Sequence, residues 1–401
     1  MIFKVGARNI LRNPRRTLAI LITVALGTGS LFIFHGFNAG IMNGYRDGVI
    51  HARYGHGQIN ERNYRNQVYE KPWEHWLGNW AELKPALLAI PGVKQVFPRT
   101  SFYALLTNGK ITVSGKGQGI DGPEEAKFFT ALNVVEGVNL SNQADGILLG
   151  SGLAHALDVH VGDRVTVLAN TTRGSLNGVD LNVTGISHTG SQEFDDVFFR
   201  IPIPQSRILL DSDLIEEVTL GLDQEENWKN VSALVATQYP KLEATSYAVL
   251  DRVWYQNSVD WLESQFGVIE GIILTIVILS IFNTVSMLIL ERKHEIGALR
   301  ANGESILDVM QLFFAEGLVL GILGAVLGIL IGLFVSNVLV PHGILMPTAP
   351  GLTRQFYVMI DLEPRMASKT FLLGVMTAVS GTLVAGYRVA KMPIGFALRS
   401  T

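Results

Sequence analysis

Cysteine is absent from all 401 residues. That excludes disulfides, a thiolate metal site and a lipidated cysteine, and leaves the redox compartment open. Charge is scarce too: Asp, Glu, Lys and Arg make up 17%, against roughly 25% in soluble domains. The net charge of −3 leaves no basic footprint for a nucleic-acid partner. Motifs for catalysis are missing as well. "TNGKITVSGKG" carries glycines and lysine without the G-x-x-x-x-G-K-[ST] spacing of a phosphate loop. Gly150-Ser151-Gly152 is not a G-x-S-x-G nucleophile elbow. His155 and His160 are five apart, outside the H-E-x-x-H zinc pattern. The acidic pairs Glu124-Glu125 and Asp195-Asp196 read as solvated loop charges. No catalytic residue and no metal ligand is expected.

What the chain does hold is long apolar runs. A hydrocarbon core of about 30 Å needs about 20 mostly apolar helical residues. Four stretches qualify: Leu18–Phe37, Phe266–Leu290, Leu312–Val340 and Thr370–Ala390. The first is longer than the ~7–15-residue core of a signal peptide and lacks a small-x-small site, so it reads as a span. Lys4, Arg8, Arg12, Arg15 and Arg16 precede it. Arg292, Lys293 and Arg300 lie between the second and third spans. Arg388, Lys391 and Arg399 follow the fourth. The positive-inside rule makes all three groups cytoplasmic, with both termini inside. Gly317, Gly321, Gly324, Gly328 and Gly332 mark a close-packing helix face, read chiefly as internal to the bundle. His35 and Glu316 are ionisable residues within spans, near enough to an interface to snorkel.

Between the first and second spans lies a segment too long for a loop. "LKPALLAIPGVKQVFPRT" predicts a short helix, a turn at Pro91-Gly92 and a strand. Asn108-Gly109 between alternating runs signals a hairpin. "DGILLGSGLAHALDVHVGDRVTVLAN" predicts strand, helix, a turn at Gly162-Asp163, and a strand with Val165, Val167 and Ala169 inward. "NWKNVSALVATQYPKLEATSY" predicts a helix and a strand. The fold class is thus a membrane protein: four transmembrane helices with a large α+β domain, of two subdomains, inserted between helix 1 and helix 2. The expected division is residues 1–40 (basic N-terminus and first span), 41–262 (extracytoplasmic domain) and 263–401 (remaining spans).

Residues 291–309 form a charged segment between two apolar blocks, and it has internal order. Ile296 and Leu299 continue the apolar stripe of the second span. Glu295 can pair with Arg292 at i, i+3. Ala301-Asn302-Gly303 ends the helix with a left-handed cap, and Ser305 with Asp308 can cap the next helix. A helix therefore leaves the membrane, turns sharply, and a second helix re-enters.

"ERKHEIGALRANGES", followed by "EGLVLGILGAVLG", resembles the signature of FtsX-like, MacB-type ABC permeases. "GYRVAKMPIGFALRS" at the end and "ARNILRNPRRTLAI" at the start are similar to the same family, so the resemblance covers the whole chain. It implies a MacB-like periplasmic core domain and a lever-type transporter subunit in a bacterial inner membrane. It implies a partner ATPase dimer that carries ATP and Mg, none being bound by this chain, and a second permease subunit, identical or not. Glu291, Arg292, Lys293, Glu295, Ile296, Leu299, Arg300 and Gly303 then form the element that couples to the ATPase. "ILLGSGLAHALDVHVGDRVTVL" and "TGSQEFDDVFFRIPIPQSRIL" resemble the lipoprotein-releasing, Lol-type permeases, implying lipoprotein cargo, membrane lipids as neighbours and a periplasmic chaperone. The stretch matching that group's chaperone-contacting loop is Asn170–Val179, with Asn170, Arg173 and Asn177. It is expected to be a protruding hairpin or loop before a strand at Leu181, and it holds no proline. For acyl chains, an apolar path is expected at Phe32, Phe34, Phe37, Phe266 and Ile269. Two other roles fit the family: MacB-like efflux of peptides, antibiotics or siderophores, and FtsX-like signalling to cell-wall hydrolases. The first usually carries its ATPase fused ahead of the basic anchor, and the second a smaller outer domain.

Overall fold

The computed structural model describes residues 14–67, 71–140, 145–189, 191–252, 257–347 and 355–394. In chain order, helix α1 (Pro14–Val49) leads to strand β1 (Gly57–Glu61), α2 (Trp80–Leu88), β2 (Val93–Thr107), β3 (Thr112–Ile120) and β4 (Asn133–Gly137). Then follow β5 (Gly146–Gly150), α3 (Ser151–Leu157), β6 (Arg164–Asn170), β7 (Leu176–His188), β8 (Phe198–Pro202), α4 (Ile203–Leu210), β9 (Glu217–Leu222), α5 (Trp228–Gln238) and β10 (Leu242–Ser246). The chain ends with α6 (Asn257–Leu290), α7 (Lys293–Ala301), α8 (Ile306–Phe334) and α9 (Pro364–Ala390). These elements fall into two compact units: residues 1–44, 259–346 and 357–401, and residues 45–258 with 347–356.

The first unit is helical. Four helices are long and apolar enough to cross a membrane: Thr17–Tyr54, Val259–Leu290, Ile306–Leu339 and Pro364–Ala390. The apolar run Leu18–Phe37 understates the first. At 1.5 Å per residue, the 36 residues of α1 reach about 54 Å, well beyond a hydrocarbon core of about 30 Å. The glycine stripe of α8 is internal, as its spacing suggests. A Cβ at Gly317 or Gly321 would strike Thr382 and Val375 of α9; one at Gly324, Gly328 or Gly332 would strike Val24, Thr28 and Phe32 of α1. Lipid tails are as apolar as leucine, so close backbone approach and dispersion replace the hydrophobic effect here. Ile281, Val285 and Ile289 of α6 pack with Val24, Phe313, Ala378 and Ala385 in this unit's core.

The second unit is α+β. One sheet runs β10-β1-β9-β2-β3-β8-β5-β7-β4, with β6 pairing both β2 and β7. The pairings β2-β3-β8-β5-β7-β6-β2 therefore close on themselves, and a closed ring leaves fewer strand edges to protect. Two subdomains were expected; the strands are continuous instead, because the 15 residues of β2 serve both halves. There are still two main cores. Leu106, Ile147, Leu149, Val165, Val167, Leu181 and Phe199 fill the ring beneath α3 and α4. Ile59, Leu87, Val218, Leu220, Val231 and Val235 fill the layer between the remaining strands and helices α2 and α5. The inward set Val165, Val167 and Ala169 is buried as its alternation requires. The β2–β3 hairpin turns where Asn108-Gly109 predicts: Gly109 sits at φ +87°, and the Asn108 carboxamide accepts from the Lys110 and Ile111 amides.

The acidic pairs differ from the expectation of solvated charge. One member of each is exposed, and the other is buried and bound. Glu124 pairs with Lys127 at 2.9 Å on the surface. Glu125 lies in the interior, where Arg99 donates to it at 2.6 and 2.8 Å and Arg200 approaches to 3.7 Å. Burial lowers the Arg200 pKa to about 10. Asp196 is exposed, whereas Asp195 is buried and accepts from the Thr189 amide and hydroxyl. Adjacent residues at a helix edge point in different directions, so a two-letter acidic motif does not share one environment.

Candidate functional site

The most ordered charged constellation lies at the ends of α6, α7, α8 and α9. Helix α6 stops at Leu290, and α7 begins at Lys293, with two residues between. Arg292, in the break, is a hub. Its Nε donates to Glu295 at 3.0 Å and its NH1 to Glu316 of α8 at 2.7 Å. Burial opposes the Arg292 charge, but Glu316 and Glu295 outweigh it and hold its pKa above the ordinary value. The i, i+3 pair is the expected one. The Glu316 bond was not foreseen: Glu316 does not snorkel but is buried, bound to the guanidinium.

Helix α7 is short and amphipathic. Ile296 is buried in the bundle core; Lys293 and Leu299 are half-buried, and Glu291 and Glu295 are exposed. Gly303 closes α7 at φ +96°, the left-handed region that glycine enters without a Cβ penalty. Ser305 and Asp308 complete a reciprocal capping box at the start of α8. Arg300 departs from expectation. Its NH1 donates to the Ala390 carbonyl at 2.6 Å, neutralising the negative end of α9. It therefore binds the bundle rather than facing solvent. The exposed face is instead Glu291, His294, Glu295 and Glu304, with Leu307 73% exposed. His294 and Leu307 escaped the sequence reading. The signal for Leu307 was present, since it follows the cap residue Ser305 and falls on the helix face opposite Val309.

The five aromatic and aliphatic path candidates divide. Phe34 of α1 and Phe266 of α6 meet edge to face at 6.4 Å. Ile269, one turn on, is exposed, and Phe37 is half-exposed. Phe32 is buried, its ring against Gly332, so it packs the bundle and lies away from that open face. His35, beside Phe34, places Nε2 3.0 Å from Glu270 of α6 and Nδ1 3.4 Å from the Thr370 hydroxyl of α9.

The Asn170–Val179 stretch is more regular than expected. Strand β7 starts at Leu176, not Leu181, and pairs with β6 from Asn170↔Leu176 to Arg164↔Asn182. The loop shrinks to Thr171–Ser175. It is tied down by Thr171 N–H to Ser175 O at 2.7 Å and Thr172 N–H to Leu210 O at 3.0 Å. Asn170 is the last residue of β6. Asn177 donates to the Ile208 carbonyl at 2.8 Å. Arg173 is 81% exposed, with Asp211 at 3.5 Å, and Gly174, Ser175 and Leu176 are exposed beside it. Glycine, asparagine and threonine suggested solvent, but alternation of Val179, Leu181 and Val183 carries the strand through them.

One arrangement has the residue types of a hydrolase triad. Ser151 lies 3.2 Å from His188 Nδ1, and Asp195 Oδ2 lies 2.7 Å from the same Nδ1. A triad needs the base's two nitrogens to serve two partners. Here serine and aspartate share one, so the group orders the β7–β8 connection rather than activating a nucleophile. No cluster of three or more His, Cys, Asp or Glu suited to a metal occurs among the described residues.

Residues 17–238 match the MacB-like periplasmic core domain, and residues 267–394 match the FtsX-like permease C-terminal region. The lipoprotein-releasing system transmembrane protein LolC of Neisseria meningitidis is 27% identical over 80% of this chain and 77% of its own. Its LolE counterpart from Haemophilus influenzae is 24% identical over 66% of this chain, and the match spans 65% of that relative's length. The ABC transporter permease YtrF of Bacillus subtilis is 27% identical over 40% of this chain and 39% of its own. Among solved structures, the periplasmic region of MacB from Actinobacillus actinomycetemcomitans aligns with 49% of this chain and 90% of its own at TM-score 0.36 and 14% identity. A membrane protein with four spanning helices and a MacB-like domain inserted after the first, the chain belongs to the FtsX-like, MacB-type family of ABC transporter permeases.

Proposed function

We propose that this permease releases lipoproteins from the outer leaflet of a bacterial inner membrane, driven by a separate ATPase dimer and paired with a second permease subunit. The observation that carries this reading is the match to a lipoprotein-releasing LolC relative along most of the chain. The basic residues flanking the spans put both termini and the α6–α7–α8 turn in the cytoplasm, with the α+β domain in the periplasm. The exposed row Glu291, His294, Glu295, Glu304 and Leu307 is the docking face for the ATPase, and the buried Arg292–Glu316 bond passes its motion to α8. Phe34, Phe37, Phe266 and Ile269 offer the acyl chains an apolar route, and the hairpin tip at Arg173 meets a periplasmic chaperone.

A photo-crosslinker at Phe34 and at Ile269 tests the cargo. Without ATP, both should trap a lipoprotein. Phospholipid adducts alone at both positions overturn lipoprotein release and leave the permease assignment standing.

A further inference from the structure

We propose that Arg365 and Lys369, on the first turns of α9, form a site for the phosphate of an acidic phospholipid in the leaflet opposite the charged α6–α7–α8 turn. Basic residues at span ends gather on one side of a membrane, here at that turn and around Ala390. Arg365 and Lys369 stand at the other end of α9. Both are exposed, and neither has an ion-pair partner among the described residues. Arginine keeps its proton in proteins, and a lysine open to water is an ammonium at neutral pH. Glu363, the N-cap residue, falls across the helix from Arg365 at about 100° per residue. Asp361 accepts a hydrogen bond from Asn43. The positive end of the α9 dipole adds charge of the same sign.

Depth and direction supply the ligand. Ala390, the last residue of α9, is held by Arg300 at the charged turn. From Ala390 back to Lys369 is 21 residues, about 32 Å of helix, just beyond a hydrocarbon core of about 30 Å. Arg365 is one turn farther out, so the pair stands at headgroup depth. Leu372 and Met376, 57% and 59% exposed, continue the same face: with Arg365 and Lys369 they fall within about 60° of arc. Gly374 and Ala378 lie on the opposite side, Gly374 against Thr28 of α1 and Ala378 in the bundle core. A phosphate between the two cations thus leaves an acyl chain along Leu372 and Met376, on open helix surface. A zwitterionic lipid brings its own ammonium to that phosphate and competes with the cations, whereas an acidic lipid does not. The inference rests on the membrane-spanning reading of α9, not on the cargo.

The test places a photo-crosslinker at Leu372, one turn below Lys369, in the full chain. The protein is reconstituted in nanodiscs of phosphatidylcholine with a minor share of phosphatidylglycerol of matched acyl chains, and mass spectrometry reads which lipid is captured. With Arg365 and Lys369 intact, phosphatidylglycerol should be captured about fivefold above its bulk share. Arg365→Gln with Lys369→Gln should bring capture to the bulk share, and each single substitution should fall in between. A crosslinker at Ile272 of α6 is the control: it is exposed and 18 residues from the end of its helix, as Leu372 is from the end of α9. It should report the bulk share throughout. Bulk capture at Leu372 with both cations intact, enrichment that survives all three variants, or equal enrichment at Ile272 overturns the proposal. No cargo, ATP or ATPase is present, so lipoprotein release can fail its own test without changing this result.

Discussion

Removing Arg292 should cost far more than converting Glu316 to its amide, although they form one bond. In Arg292→Ala, Glu316 keeps its burial within α8 and loses the guanidinium 2.7 Å away. Breaking a buried pair from one side costs about 3 kcal/mol or more, because a desolvated charge remains. In Glu316→Gln, Arg292 still has Glu295 at 3.0 Å, and the amide oxygen can still accept. That loss is nearer about 1 kcal/mol, the net worth of a hydrogen bond. Replacing both, as Arg292→Leu with Glu316→Leu, should recover most of the deficit, since a well-packed apolar pair commonly equals a buried ion pair. The assay is thermal unfolding of the purified protein in one detergent. Arg292→Ala should lower the midpoint by about 5 °C or more and Glu316→Gln by about a third of that. Equal effects of the two single substitutions, or a double variant no better than Arg292→Ala, would refute the argument that loss of the guanidinium beside Glu316 dominates.

Further expectations concern other parts of the molecule. Gly27→Cys with Val277→Cys should cross-link on mild oxidation and shift on non-reducing gels, since a Cβ on Gly27 lies 3.7 Å from that of Val277, within disulfide range, and no other cysteine competes. Absence of a shift would mean that α1 and α6 are not adjacent there. Burial, with Glu216 beside it, raises the Glu217 carboxyl to about 8. The folded state then holds a proton that the unfolded chain releases near pH 4.5, so stability falls as pH rises from about 4.5 to 8. Glu217→Gln should flatten that part of a melting-midpoint-versus-pH curve, and an unchanged slope would remove Glu217 as its source. Deleting Thr172–Gly174 should leave expression and ATPase co-purification intact but abolish complementation of a growth defect; full complementation would make the hairpin tip a mere connector.

The spans, the inserted α+β domain and the helix–turn–helix at 291–309 were legible in the sequence because each depends on local chemistry. Apolar runs of about 20 residues, alternation in Val165, Val167 and Ala169, Gly303 in a left-handed turn and the Ser305–Asp308 cap all act over a few neighbours. Elements whose partners are distant in the chain were not legible. Arg300 looks like one more surface cation until Ala390, 90 residues on, supplies the carbonyl it binds. Glu125 looks solvated until β2 brings Arg99, 26 residues back, to it. Phe32 and Phe34 are near-identical by sequence, yet their directions along α1 send one to Gly332 and the other to Phe266. By itself the sequence determined which segments cross the bilayer, because transfer free energy sums over contiguous residues. Only the tertiary structure decided which charges are buried and paired, because that depends on atoms a few ångströms apart in space and scores or hundreds of residues apart in the chain.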